Sequence, residues 1–211
     1  MTRGDLILTP TGLWHEHGHD GQDPVTWLDV LDLPLVYYLE ASYHVNGPAQ
    51  PVSPDRGDVT HAVGGALPTP LFQRTHKDYP LLRYPWASVR AQLISMAESQ
   101  PHLQSVQVTY VNPNTGLDAL NILGFHALML KPGQILQLPV RSTAMVFHLI
   151  EGDVRVSQPG HECRLEPADT SCAPGYVPVT LTNLHGQHPS FVFMADESPL
   201  QRKLGIYEVR A

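Results

Sequence analysis

The sequence predicts an all-β fold of the sandwich or barrel kind, and three observations predict it. Proline accounts for 20 of 211 residues, nearly twice the usual share of about 5%. Proline donates to neither helix nor strand ladders, which excludes a coiled coil or a helical bundle. From residue 105 onward, short apolar runs follow one another, divided by Gly/Pro turns, the pattern of a sandwich or barrel. Helical periodicity is confined to one segment, from Pro85 to about Gln100. With 42% apolar residues the chain is not disordered.

Taken in chain order, Gly4-Asp5-Leu6-Ile7-Leu8-Thr9-Pro10 reads as a turn and a short apolar strand. Val25 to Leu31 is a second strand-like run, closed by Pro34. Residues 44 to 80 hold Gly47-Pro48, Pro51, Pro54, Gly64-Gly65, Pro68, Pro70 and Pro80 and form a connector without periodicity. In the helix, Pro85 suits the first turn, Trp86, Val89, Leu93, Ile94 and Ala97 share one face, and Pro101 lies past the end. Expected strands follow at Val106 to Tyr110, Ile122 to Leu130, Met145 to Ile150, Val154 to Val156, Val177 to Leu181, Phe191 to Met194 and Leu204 to Val209. Cys172 reads as a core strand position with Cys163 as its neighbour, both reduced. A weak internal repeat aligns Gly4-Asp5 with Ala168-Asp169, Pro10 with Pro174, and His15 with Val179.

The formal charge is −7, from 13 basic and 20 acidic residues. No Lys/Arg cluster stands out, which argues against a nucleic-acid or anionic-membrane surface. No apolar run reaches the roughly 18 residues of a membrane helix. The first residues lack the h-region of a signal peptide, so a cytoplasmic location is expected.

Histidine is the informative excess, 12 of 211. In Trp14-His15-Glu16-His17-Gly18 a strand would turn His15 and His17 to one face and Glu16 to the other. Two imidazoles on one face can share a metal, or one can bind metal while the other handles substrate. On spacing alone, an exposed polar hairpin remains the competing reading.

Pro10-Thr11-Gly12-Leu13-Trp14-His15 resembles the second cupin motif, whose final His binds metal. The longer run through Pro24-Val25-Thr26-Trp27-Leu28-Asp29-Val30-Leu31-Asp32-Leu33-Pro34 is similar to the gentisate 1,2-dioxygenase family, which includes salicylate and 1-hydroxy-2-naphthoate dioxygenases. Tyr84-Pro85-Trp86, the turn from Tyr110 to Gly116, Leu130 to Gly133 and Phe147-His148-Leu149-Ile150-Glu151-Gly152 extend the match. The resemblance implies a bicupin, two jelly-roll barrels in one chain. Here residues 1–36 would be a remnant of the N-terminal barrel, residues 37–104 a connector carrying the helix at about 85–100, and residues 105–211 a complete C-terminal barrel.

It implies Fe(II), a small hydroxylated aromatic acid and O2 as cofactor and reactants, and oxidative ring cleavage as the reaction. The metal would neutralise charge and hold both substrates together. His15 matches an iron ligand, His17 a histidine that contacts substrate, and Asp29 an acidic residue lining the same pocket. Trp27 shares the face of Asp29, with core filling as its expected role.

The resemblance places the family's other two iron ligands in an HxH pair on an earlier strand pair of the first barrel, and nothing before Gly4 is expected to supply them. In the C-terminal barrel, Pro139 and Arg141 stand where an HxH pair would sit and Val179 where the third His would sit. Neither proline nor guanidinium can ligate, so that barrel is expected to be metal-free. Arg141 could instead bind a carboxylate, or serve as a surface or ion-pair residue. Three explanations stay open: a fragment or misplaced start of a longer enzyme, which is preferred; a non-catalytic cupin kept for ligand binding or assembly; or replacement ligands among His44, His61 and His76. His126 and His148 are expected to be ordinary core-edge histidines, and His185 and His188 solvated loop residues. The apolar residues of 4 to 36, without a barrel to cover them, predict a homo-oligomer.

Overall fold

The computed structural model describes residues 1–9, 15, 17–19, 21–47 and 82–210. Its elements run β1 (Leu6–Ile7), α1 (Leu33–Tyr38), β2 (Arg83–Tyr84), α2 (Trp86–Ser99), β3 (Val106–Thr109), β4 (Gly124–Leu130), β5 (Ile135–Gln137), β6 (Val140–Arg141) and β7 (Met145–Glu151). They continue with β8 (Val154–Gln158), β9 (His161–Leu165), β10 (Thr170–Ala173), β11 (Thr180–Asn183), β12 (Ser190–Asp196), α3 (Ser198–Leu204) and β13 (Val209–Arg210). The chain divides into two compact units, residues 1–6 with 84–211, and residues 7–83.

The first unit is a cupin jelly roll. The chain crosses repeatedly between a five-stranded sheet, ordered β10-β7-β12-β4-β3, and a four-stranded sheet, ordered β5-β11-β8-β9, with β3–β4 and β8–β9 as consecutive strands within one sheet. All their pairings are antiparallel. Strand alternation sends Leu128, Leu130, Phe147, Leu149, Val192 and Met194 inward to meet Val154, Val156 and Leu181 of the opposite sheet, and all of these are buried. Fully burying one such side chain contributes about 1.5–3 kcal/mol, so this core dominates the unit's stability.

β4 is buried on both faces, which explains its unbroken apolar run. Helix α2 packs against β3 and β4. The Trp86 ring meets Phe191 edge-on at 5.5 Å, and Trp86 Nε1 and Arg90 Nε both donate to the Glu151 carboxylate. The helix starts at Pro85 without a side-chain cap of its own. The Trp86 amide donates instead to Asp5 Oδ1 at 2.9 Å, so a carboxylate from the chain's first turn complements the helix dipole.

The helix and most C-terminal strands lie where the sequence puts them, with some corrections. Leu204 to Val209 is not a strand: α3 runs through Leu204, stops at Gly205 with φ 71°, and leaves β13 only Val209–Arg210. Glycine accepts that left-handed stop without strain. Cys172 is exposed rather than core, because β10 is an edge strand whose inward residue is Ala173. Strands β5, β6 and β9 were not anticipated; they are short or polar and lack an apolar run.

In the second unit, described residues between 15 and 31 form no strand, contrary to the expectation for Val25 to Leu31. A strand needs a neighbouring ladder for its amides and carbonyls, and none forms beside this segment among the described residues. Pro34 does not close a strand either; it opens α1 from the first turn. Among the described residues no helix is long and apolar enough to cross a membrane.

Candidate functional site

His15, His17 and His19 are exposed and lie outside regular structure. The shared-strand placement expected of His15 and His17 is therefore corrected, for the same want of a pairing partner; Glu16 lies outside the described residues. The rings nevertheless come together. His17 stacks on Trp27 with centroids 5.1 Å apart and planes 16° apart. His15 meets His17 edge-on at 5.5 Å and 84°. His19 Nε2 lies 2.7 Å from the Asp23 carbonyl, to which it donates.

Trp27 thus supports a histidine face rather than filling a core, and it is 51% exposed. Asp29 is exposed and makes no hydrogen bond or ion pair with a described residue, so it does not join the ring cluster.

The donor set falls short of the three imidazoles expected for iron. Among the described residues no three His, Cys, Asp or Glu side chains converge to hold a metal ion. His44 turns its Nε2 to Asn46 Oδ1 at 2.6 Å, and His61 and His76 lie outside the described residues.

In the C-terminal barrel the three replaced positions do converge. Pro139, Arg141 and Val179 line one small cavity of about 20 Å³, together with Thr143, Met145 and Ala173. Thr143 was not singled out by sequence reasoning; one threonine in a polar turn gives no signal. At another buried polar position of the barrel, the Thr109 hydroxyl and His126 Nδ1 share a 2.9 Å hydrogen bond. His126 Nε2 faces Asp196 Oδ2 at 3.6 Å. Burial works to raise the Asp196 carboxyl, but the facing His126 ring and the Ser198 hydroxyl and amide outweigh it and hold it below its ordinary value. His185 and His188 lie on a loop with ring centroids 4.6 Å apart.

No family model matches the chain. A gentisate 1,2-dioxygenase of Ralstonia sp is 66% identical over 210 residues, covering 100% of this chain and 59% of that protein. A 5-aminosalicylate 1,2-dioxygenase of Comamonas sp is 28% identical over 214 residues, covering 100% of this chain and 57% of that protein. A crystal structure of a salicylate 1,2-dioxygenase mutant from Pseudoaminobacter salicylatoxidans superimposes with a TM-score of 0.81 at 24% identity, over 100% of this chain and 61% of that one. At that identity the likeness is one of fold. The chain spans about three fifths of the length of the relatives it matches. The resemblance to the gentisate 1,2-dioxygenase family read from the motifs therefore extends along the whole of this chain.

Proposed function

We propose that this chain works as part of a ring-cleaving dioxygenase of the gentisate 1,2-dioxygenase type, opening a hydroxylated aromatic acid with O2 in an Fe(II)-dependent reaction. The observation that carries the proposal is 66% identity, along 210 residues, to a gentisate 1,2-dioxygenase. In this reading His15 is an iron ligand and His17 a substrate contact. Asp29 lines the same pocket once the neighbouring strands are present. The stack on Trp27 supports the division of roles: it fixes the plane of the His17 ring, and an imidazole held by its face presents its edge nitrogens in a set direction. The two imidazoles described do not make an iron site by themselves, so the remaining ligands must come from outside the described residues.

The reading extends to a cytoplasmic homo-oligomer. Leu28, Leu31, Leu33, Tyr37, Tyr38 and Leu39 are all exposed on the N-terminal segment, and large apolar side chains exposed together are a feature of interfaces. A clean monomer by light scattering would remove that part.

The test is metal analysis with oxygen consumption on gentisate and on salicylate. The 211-residue chain is expected to hold no stoichiometric iron and to cleave neither acid. A chain lengthened at its N-terminus by roughly 100 residues, about one small domain, is expected to do both. In the longer chain His15→Ala abolishes iron binding, whereas His17→Ala retains iron and lowers turnover. An iron-free, inactive longer chain would favour the second reading, a cupin that binds a small ligand without catalysis.

A further inference from the structure

The segment that follows α1 carries a chemistry of its own, independent of the iron reading. Asparagine is thermolabile because its side-chain amide can be attacked by the backbone nitrogen of the residue after it. Glycine offers that nitrogen most openly, since it has no Cβ to crowd the approach. The chain has five asparagines, and only Asn46 precedes a glycine. Asn112 precedes Pro113, whose nitrogen has no proton to give up. Asn114, Asn121 and Asn183 precede Thr115, Ile122 and Leu184. Asn183 is also buried, with its side-chain nitrogen donating to the carbonyls of Leu130, Lys131 and His188.

Asn46 and Gly47 are exposed and lie outside helix and strand, so no ladder holds their backbone away from the reactive geometry. His44 Nε2 lies 2.6 Å from Asn46 Oδ1. An amide oxygen offers only lone pairs, so the imidazole donates. The bond draws electron density from the amide carbon, and it sits where negative charge develops on the oxygen when that carbon is attacked. Asn121 Oδ1 also accepts a donor, Lys203 Nζ at 2.7 Å, but the residue after it is the β-branched Ile122. Asn46 alone combines the polarised carbonyl with the open nucleophile.

We propose that Asn46-Gly47 is a self-modification site, where the chain deamidates with His44 polarising the amide. The Gly47 nitrogen attacks Asn46 Cγ and closes a succinimide ring. The Cγ–Nδ2 bond breaks, and Nδ2 leaves as ammonia with the proton that the Gly47 nitrogen gives up. Water then opens the ring. Cleavage between the Gly47 nitrogen and Cγ leaves an aspartate at position 46; cleavage between that nitrogen and the main-chain carbonyl carbon leaves an isoaspartate. Either product puts a carboxylate beside His44 and makes an already acidic chain more negative.

The test incubates the full 211-residue chain at neutral pH and follows each asparagine-containing peptide by mass spectrometry, with free ammonia measured alongside. The peptide around Asn46 is expected to exchange its amide for a carboxyl, to release ammonia in equal amount and to give both aspartate and isoaspartate, while the other asparagines stay intact over the same time. Gly47→Pro removes the attacking N–H and should abolish the reaction. Gly47→Ala keeps the N–H but crowds it, should slow the reaction, and stands in if the proline variant does not fold. His44→Ala is expected to slow it about fivefold, the factor that corresponds to one hydrogen bond of about 1 kcal/mol. In urea that unfolds the chain, the parent and His44→Ala should react at equal rates, because the contact between His44 and Asn46 is lost. The proposal is overturned if Asn46 stays intact in the folded chain, if another asparagine reacts as fast, or if folded His44→Ala reacts at the parent's rate.

Discussion

The turns at residues 2–5 and 166–169 are built alike, yet the chain does different things beyond them. In the first, Asp5 Oδ2 accepts the Thr2 amide at 2.8 Å and the Asp5 amide donates to the Thr2 carbonyl at 3.1 Å. In the second, Asp169 Oδ2 accepts the Glu166 amide at 2.8 Å and the Asp169 amide donates to the Glu166 carbonyl at 2.9 Å. The residue before each Asp is left-handed, Gly4 at φ 85° and Ala168 at φ 82°. After Asp169, β10 pairs with β7 and β11 lies between β5 and β8. After Asp5 the strand ends at Ile7, and the described residues from 15 to 31 are almost all exposed. Leu6-Ile7-Leu8 is the more strand-prone sequence of the two; Thr170-Ser171-Cys172-Ala173 is the more polar. A β-turn whose closing Asp carboxylate reaches back to the amide three residues before it is local chemistry and survives transplantation, whereas a strand depends on what lies beside it.

The largest consequence is a contrast in stability. Phe147→Ala, in the fully buried centre of β7, is expected to cost about 3–5 kcal/mol by leaving a cavity. Denaturant unfolding followed by circular dichroism measures it. Native-state hydrogen exchange of the chain diluted to a monomer should show β4, β7 and β12 amides opening only with global unfolding, and residues 21–31 exchanging near the rate of a free chain. Protection of residues 21–31 that rises with protein concentration is what the homo-oligomer reading requires; strong protection in the monomer would mean that they find partners within the chain.

A smaller effect separates the two turns. A Cβ on Gly4 would lie 2.6 Å from Trp86 Cγ and 2.9 Å from Ile150 Cγ2, at a φ of 85°. Gly4→Ala is therefore expected to cost about 2 kcal/mol or more, from left-handed strain of roughly 1–2 kcal/mol plus overpacking. Ala168→Gly releases the same strain and loses part of it to unfolded-chain entropy, for a net gain of about 0.5 kcal/mol. Equal and opposite shifts would mean that packing against Trp86 contributes nothing.

Much of this architecture was legible in the sequence, and the misses share one cause. The helix, the long apolar strands and the two Asp turns depend on periodicity and local hydrogen bonds, which a sequence displays. The edge position of Cys172, the polar strand β9 and the uncovered Val25 to Leu31 depend on neighbours, which it does not. The same divide runs through the candidate sites. His15 and His17 stood out by spacing, but their ring contacts with each other and with Trp27 appear only in three dimensions. Pro139, Arg141 and Val179 were picked out by resemblance, and Thr143 by nothing until the cavity placed it beside them.

A pH-dependent term belongs to the barrel. The Asp196 carboxyl is held below its ordinary value by His126 and Ser198 against the opposing effect of burial. A depressed folded pKa stabilises above the unfolded value, near 3.8, and that contribution disappears as pH falls through the folded value. Asp196→Asn keeps an acceptor for the Ser198 amide and removes the titration. The parent chain should therefore lose more stability than the variant between about pH 5 and pH 3, and urea midpoints at the two pH values measure the difference. Parallel losses would show that Asp196 is not coupled to folding.

The smallest expected effect lies on the histidine face, and its smallness is informative. Trp27 is half exposed and touches the His17 ring rather than a core. Trp27→Ala should change stability by no more than about 0.5 kcal/mol, the range for surface positions away from special features. An exposed ring stack adds about 0.5 kcal/mol at the lower end of aromatic pair energies. In the lengthened chain the same substitution should leave iron content unchanged and lower turnover, because it frees the His17 ring without touching His15. Stability and activity then respond in opposite proportion to the Phe147→Ala change in the barrel. A loss of several kcal/mol on removing Trp27 from the 211-residue chain would place that indole in a buried core in solution, and the N-terminal segment would then be an organised domain rather than a face waiting for its neighbours.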